Sequence, residues 1–198
     1  MASTATAMVT VSTGAQHLVI NEVDYDQIGT DTAEYVEIYN PSAAPISLAN
    51  KQLLLVNGSG GAVYTTVNLG TGMLAPGAYL VIAGANVTVS GTATKLDPGW
   101  TQDEVQNGMP DGIALIDNMT HTLIDALSYE GSMADVDLPG FPATPITSLV
   151  EGAVLPTATA DSNTADGSLC RSPNGQDTNQ AAADWKFCGT KSPGLPNP

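Results

Sequence analysis

Short runs of apolar residues, each bounded by turn-forming residues, restrict the fold of this chain more than any other feature. Within a run, apolar residues cluster or alternate with polar ones, whereas an amphipathic helix would repeat its apolar positions roughly every three to four residues. Gly, Pro, Ser, Thr, Asn and Asp are abundant, and the helix-favouring Lys, Glu and Arg are scarce. The sequence therefore predicts an all-β protein.

The apolar runs predict short strands joined by tight turns and by two long loops. Residues 57–61 and 118–120 predict hairpins, because glycine and asparagine suit tight turns. Residues 84–110 and 131–156 show little periodicity and are predicted to be long surface excursions, the first pinned to the body by Trp100. Such irregular connections favour a two-sheet sandwich over a barrel. The predicted strands are residues 17–23, 34–40, 52–56, 62–67, 78–83, 112–117 and 121–126.

The length of 198 residues suits one domain with a sizeable core. We expect residues 17–198 to form this domain and residues 1–16 to form an N-terminal arm. The arm carries no charge and has β-branched residues, so it could pair with a sheet edge of its own chain or of a second copy.

Acidic residues dominate the charge: 20 Asp and Glu face five Lys and Arg, which gives a formal net charge of −15. Nucleic-acid binding draws most of its affinity from Lys and Arg, so nucleic acid and anionic membranes are not expected as partners. No run approaches the roughly 20 apolar residues of a transmembrane helix, so membrane insertion is not expected either.

The cysteines Cys170 and Cys188 lie in a polar, turn-rich tail without a neighbouring His cluster. A disulfide is the favoured interpretation, and two reduced thiols in a cytosolic protein are the alternative. A disulfide, few lysines and many Thr and Gly together favour a secreted or cell-surface protein. The first residues lack the basic-then-apolar build of a signal peptide, so we expect an export signal to have been removed or to lie outside this chain.

Several motifs together resemble bacterial lamin tail domains. The opening match is LVINEV at residues 18–23, then DYD and GTD, then AEYVEIYNP at residues 33–41. Similar matches follow in LAPGAYLVI (74–82), PDGIAL (110–115), LIDALSY (123–129), SLCR (168–171), GQDT (175–178), ADW (183–185) and SPGLPN (192–197).

The resemblance implies an immunoglobulin-like β-sandwich without a catalytic site. Bacterial members are often accessory modules beside enzymes or surface proteins, whereas animal members sit in the nuclear lamina and contact protein and DNA. This chain departs from the pattern after Leu48 and Ala49, where Asn50 and Lys51 stand in place of a frequent Gly-Trp. Its acidic charge also argues against a DNA role.

A group of carboxylates lies around the loop between the first two predicted strands. Asp24, Asp26 and Asp31 are in this loop, and Glu34 begins the second strand. If the strands pair, the oxygens of these four residues converge, and carboxylate oxygens are the ligands that calcium prefers. They form the candidate calcium site. The alternative is that the acids face water or cap turns.

A second calcium-like segment, residues 161–167, has one residue too many between Asn163 and Asp166 for a calcium loop, which favours a polar turn.

His17 and His121 have no companions placed for zinc or for catalysis, and we expect them to be solvated at strand ends. No nucleophile elbow, P-loop or dinucleotide fingerprint occurs in the sequence. The sequence predicts a protein that is not an enzyme and needs no cofactor beyond the candidate calcium.

Three functions stay open at this point. The first is a non-catalytic extracellular binding or accessory module with a protein or glycan partner. The second is a subunit that assembles with copies of itself into an extracellular filament or surface layer, because self-packing surfaces avoid Lys and Glu. A small hydrolase is the least favoured.

Overall fold

The computed structural model describes residues 15–143 and 147–198. Within these residues the chain forms twelve strands and one helical turn. The strands are β1 (Val19–Asp24), β2 (Tyr35–Tyr39), β3 (Ile46–Ser47), β4 (Lys51–Asn57), β5 (Ala62–Asn68), β6 (Met73–Leu74), β7 (Tyr79–Ala83), β8 (Thr94–Leu96), β9 (Asp111–Asp117), β10 (Thr122–Tyr129), β11 (Ser168–Arg171) and β12 (Trp185–Cys188), and the helical turn is α1 (Ala181–Asp184).

Two main sheets face each other. The six-stranded sheet has the order β12-β11-β1-β2-β7-β8, and the four-stranded sheet has the order β10-β9-β4-β5. Neighbouring strands run antiparallel except β7 and β8, which are parallel. A small two-stranded sheet pairs β3 with β6. This arrangement is the all-β, immunoglobulin-like sandwich that the sequence predicts.

The main core lies between the two sheets. Ile38 from the six-stranded sheet and Leu53 and Leu115 from the four-stranded sheet are fully buried in one apolar cluster. Trp100 joins the same cluster, which confirms that it anchors the first long excursion. Burial of alternate side chains from facing strands is what closes a sandwich of this kind.

A second apolar cluster covers the outer face of the four-stranded sheet. Leu54 and Ala114 on this face pack against Leu138 and Leu149 of the second long excursion. Backbone hydrogen bonds hold the excursion in place, including one from the Asp137 N–H to the Gly61 carbonyl, at 3.1 Å. The excursion is therefore a packed cover for the sheet.

All seven predicted strands and both predicted hairpins are present, with ends that differ by a few residues. The structure adds five short strands to these seven, namely β3, β6, β8, β11 and β12. The first excursion contains β8, and the tail forms β11 and β12 and completes the six-stranded sheet. These strands are too short to show a period, and their pairing depends on distant partners.

Most of the expected N-terminal arm, residues 1–16, lies outside the described residues, so its pairing with a sheet edge stays a prediction, as does the division into an arm and a domain at residue 17. Among the helices of the described part, none has the length and apolarity to cross a membrane.

The predicted disulfide between Cys170 and Cys188 is present. It joins neighbouring strands of the six-stranded sheet, because Cys170 is on β11 and Cys188 ends β12. The bond covalently links the two paired strands of the tail, β11 and β12.

Candidate functional site

One end of the sandwich gathers loops from both sheets. It comprises residues 24–34, 57–61, 101–111 and 129–131, and we call it the acidic loop end. The Asn107 amide lies 3.4 Å from carboxylate oxygens of both Asp26 and Asp31, which places the third of these segments against the first. The Gly58 N–H donates to Asp111 at 3.1 Å and ties the β4–β5 turn to the start of β9.

The structure gives protein partners to the four candidate calcium ligands, of which Asp26 and Asp31 share the Asn107 amide. Asp24 is buried and contacts the Lys191 ammonium at 3.2 Å. Asp31 accepts a hydrogen bond from the Gln27 N–H at 2.7 Å. The fourth ligand, Glu34, accepts hydrogen bonds from two backbone N–H groups of the loop that begins at residue 101, at 2.6 and 3.1 Å. Three of the four therefore act as caps and tethers of the loops, and calcium binding here stays a prediction.

Burial changes the acidity of this group. It raises the pKa of Asp24 to about 7, with a further increase from the nearby charge of Asp161. It also raises the pKa of Glu34 to about 8, although backbone N–H groups oppose the shift. Asp161 accepts a hydrogen bond from the Tyr25 N–H at 2.9 Å, so the segment that resembles a calcium loop anchors the first loop.

A hollow of about 400 Å³ opens at the acidic loop end. Asn57, Ser59 and residues 106–111 line it. Asn57 and Gln106 are fixed by a mutual amide hydrogen bond of 2.7 Å. At its edge Met109 is 75% exposed, although it is a large apolar side chain. The hollow therefore combines a fixed polar lining with an apolar rim.

The C-terminal residues cover the outer face of the six-stranded sheet. Glu22 and Glu37 are directly opposed on β1 and β2, and both are fully buried. Ser192 donates to Glu22 from its N–H and its hydroxyl, and the Gly194 N–H donates to Glu37 at 2.6 Å. These donors offset the desolvation of two neighbouring carboxyl groups. Burial still raises the pKa of Glu37 to about 8.

A buried arginine, Arg171 of β11, connects the tail to β1 and β10. The Arg171 side chain is fully buried and donates to the Ile20 carbonyl at 2.7 Å and to Asp125 at 2.8 Å. Its guanidinium also lies 5.0 Å from the ring centroid of Trp185. Further carboxylates surround it at 3.5–3.6 Å, namely Glu151, Asp177 and Asp184. We call these residues the arginine centre.

Asp125, Glu151 and Asp177 have carboxylate oxygens within 4.8 Å of one another, and in the described residues they are the group of acids close enough to hold a metal ion. Arg171 contacts all three, so the protein supplies its own cation there. Burial and the charge of Asp125 raise the pKa of Glu151 to about 9. A pKa above neutrality favours the protonated form of Glu151 beside Asp125.

His17 differs from the solvated histidine that the sequence predicts. Its Nε2 atom lies 3.2 Å from Asp177, which is almost fully buried. The hydrogen bond to Asp177 raises the pKa of His17, against the effect of burial. His121 precedes β10 with a positive φ of 50° and lies edge-on to the ring of Phe141 at 6.2 Å.

Comparison with known protein families decides the identity of the fold. The family model for the lamin tail domain matches residues 11–131, which is more than half of the chain. The chain belongs to the lamin tail domain family. No curated protein matches it.

The matched part of this lamin tail domain includes the acidic loop end and most of both sheets. The motifs at residues 168–197 lie beyond the matched segment, as do Glu151, Arg171, Asp177 and Asp184 of the arginine centre. The local sequence pattern did not indicate this centre. The available signal is Arg171 itself, which ends a short apolar strand in a chain with only five basic residues. An arginine is rarely buried unless it pairs with acids, so buried carboxylates were to be expected near it.

Proposed function

We propose that this lamin tail domain is a non-catalytic extracellular binding module that presents its acidic loop end to a protein or glycan partner. The observation that carries the proposal is the convergence of loops from both sheets around the 400 Å³ hollow. Binding residues are commonly placed on loops that a rigid scaffold positions, and ligand pockets start at roughly 300 Å³. The Cys170–Cys188 disulfide supports an extracellular location, because such bonds persist in oxidising compartments.

A binding array tests the proposal. Biotinylated protein is applied to printed glycans and to printed 15-residue peptides of varied charge, and the hits are measured again by calorimetry. The double variant Asp26→Asn and Asp103→Asn keeps the shape of two loop residues and removes their charge. We expect it to bind at least tenfold more weakly.

The matched control is Asp117→Asn, which removes a charge at the far end of β9, roughly 20 Å away for a seven-residue strand. It should bind within twofold of the original protein. Equal loss of binding in the control and the double variant would contradict the proposal, and so would binding no stronger than that of an unrelated β-sandwich.

One observation favours self-assembly as a second candidate. Among the outer strands of the two main sheets, β8 contains Lys95 and β12 contains Lys186, whereas β5 carries no charged residue and Asp125 of β10 is buried in the arginine centre. Natural edge strands usually carry charge, which prevents pairing with other chains. The start of β5 is bridged to Asp137 of the second excursion, so it is the uncharged edge beyond Ala62 that is suited to adding a strand from a second copy.

Light scattering tests whether the protein assembles with copies of itself. A filament or surface-layer subunit should show a mass that grows with concentration, and Thr66→Lys on β5 should keep it monomeric. Thr94→Lys on the already charged β8 is the control and should leave assembly unchanged. A protein that stays monomeric at high concentration removes the candidate.

A further inference from the structure

We propose that the hollow at the acidic loop end binds the lysine or arginine side chain of a protein partner, with Asp111 as the residue that receives its charge. This inference rests on the proposed function and deepens it, because it assigns one ligand chemistry to one site.

The first observation is an unsatisfied carboxylate oxygen. Asp111 is only 2% exposed and begins β9 where the strand meets the hollow. Its Oδ1 atom accepts the Gly58 N–H, the Gly108 N–H also faces the carboxylate, and its Oδ2 atom is buried without a hydrogen bond of ordinary geometry. Buried polar atoms nearly always have a partner, and leaving a charged one unpaired is costly. A ligand that donates a hydrogen bond to Oδ2 would remove this cost.

The second observation is the charge around the hollow. Asp26 and Asp31 contact Asn107 of the lining, and Glu130 lies beside Tyr25 at the same end of the sandwich. The nearby ammonium of Lys191 is already paired with Asp24 and Asp166. Within the described residues, Asp111 takes part in no ion pair. The local field therefore favours a cation over a neutral donor.

The third observation is the shape and chemistry of the lining. The β4–β5 turn approaches the next segment so closely that a Cβ atom on Gly58 would overlap the Pro110 carbonyl oxygen. This contact fixes the wall next to Asp111. The exposed thioether of Met109 and the ring of Pro110 lie at the rim, where the aliphatic stem of a lysine or arginine can pack while its charged head reaches inward.

A neutral sugar fits the hollow less well. Its hydroxyl groups could also donate to Asp111, but sugar sites usually provide an aromatic ring for the face of the sugar. None of the residues that line the hollow is aromatic. The Asn57 amide also donates to the Gln106 side-chain oxygen, so this donor and this acceptor are less free to bind hydroxyl groups.

The test uses four small probes and NMR spectroscopy of the whole chain. The probes are the N-acetyl methylamides of lysine, arginine and norleucine, and methyl glucoside. We expect the lysine or arginine probe to shift the backbone resonances of Gly58, Gly108 and Asp111 with a saturable dependence on concentration. We expect at least tenfold weaker binding of norleucine, which keeps the stem and lacks the charge.

Two variants locate the site. Asp111→Asn should weaken binding of the cationic probe at least tenfold, and Asp117→Asn at the far end of the same strand should leave it within twofold. If Asp111→Asn fails to fold, a salt titration of the unaltered protein replaces it, and the affinity should fall several-fold between 0.05 and about 0.5 M NaCl as screening increases.

The outcomes separate the inference from the proposed function. Equal binding of norleucine and lysine, binding of the glucoside alone, or binding of no probe would each overturn the cationic site. Binding of glycans on the array together with no binding of lysine or arginine would leave the module function standing and remove this inference only.

Discussion

At the scale of single residues, the arginine centre concentrates more charge than any part of the main core. Asp125, Asp184 and Arg171 are fully buried, and Asp177 is nearly so. Buried ion pairs contribute little net stability when they form, because desolvation offsets their attraction. Removing one partner is different, because the charges that remain have no counter-ion.

Replacing Arg171 with Met should therefore lower the free energy of unfolding by about 3–5 kcal/mol, because several buried carboxylates lose their cation. Urea unfolding at pH 7 measures this loss. Lys51→Met is the comparison, since it breaks a more exposed ion pair with Asp117 and should cost less than about 1 kcal/mol. A loss below about 1 kcal/mol for the Arg171 variant would show that the centre does not depend on its cation.

Glu151 makes stability depend on pH. Its pKa of about 9 in the folded state exceeds the ordinary value of 4.5, so the folded protein keeps a proton that the unfolded chain releases. The stabilisation is complete below about pH 4.5 and is lost as the pH rises towards 9. His17, whose pKa is raised above 6.5, adds to the loss in the same direction.

We expect the free energy of unfolding to fall between pH 5 and pH 9, which denaturant titrations across that range would measure. Glu151→Gln should reduce the dependence, because the Gln amide donates to Asp125 at every pH as the protonated carboxyl does. The part that remains comes from His17 and from Asp24, Glu34 and Glu37, whose pKa values are also raised. Asp97→Asn, at an exposed acid, should leave the slope unchanged. The same slope in the Glu151 variant as in the original protein would assign the dependence to other groups.

At the scale of elements, the tail strands and the second excursion need support from distant parts of the chain. β11 and β12 are four residues each, and the disulfide holds them together. The excursion is held by backbone hydrogen bonds and by apolar contacts with the outer face of the four-stranded sheet.

Removing the disulfide by Cys170→Ala and Cys188→Ala should lower the free energy of unfolding by about 3 kcal/mol, through the greater entropy of the unfolded chain. Denaturant titration measures the change. Thiol counting in denatured protein from an oxidising compartment is the direct check on the bond itself, and two free thiols would contradict it.

Leu149→Ala should cost about 3 kcal/mol, because Leu149 is fully buried between the excursion and the sheet and its removal leaves a cavity. Thermal and urea unfolding would report the loss. Val154→Ala, at an exposed position of the same region, should stay within about 0.5 kcal/mol. Similar costs for both would mean that the excursion does not pack on the sheet in solution.

At the scale of the whole molecule, a net charge of −15 means that any cation raises stability to some degree by screening repulsion. Specific calcium binding at Asp24, Asp26, Asp31 and Glu34 has to exceed this general effect. A ligand that binds only the folded state raises the melting temperature in proportion to the logarithm of its concentration.

If these four residues bind calcium, millimolar calcium should raise the melting temperature above its value in sodium chloride of equal ionic strength, and a chelator should reverse the change. Asp26→Asn should remove the additional increase, because Asp26 is the ligand of the four that is least engaged with the protein. Melting curves that coincide in calcium, sodium and chelator would end the calcium hypothesis.

The sequence by itself determined the fold class and the course of the central strands. Residues 35–39, 79–83 and 111–117 alternate or cluster their apolar side chains over enough positions to show a β period, and Gly and Asn mark the turns between strands. The disulfide also followed from the sequence, because two cysteines in a polar tail leave few other roles. The motifs before residue 131 were enough to indicate the family.

Only the tertiary structure decided which polar residues are buried and which partners they have. Glu22 and Glu37 resemble solvent-facing strand residues until the C-terminal segment is seen to cover them. Arg171 contacts four carboxylates from residues 6 to 46 positions away. The hollow beside Asp111 arises from a turn and a loop about 50 residues apart. Local pattern reports the preference of a segment for strand or turn, whereas burial and pairing depend on contacts between segments far apart in the chain.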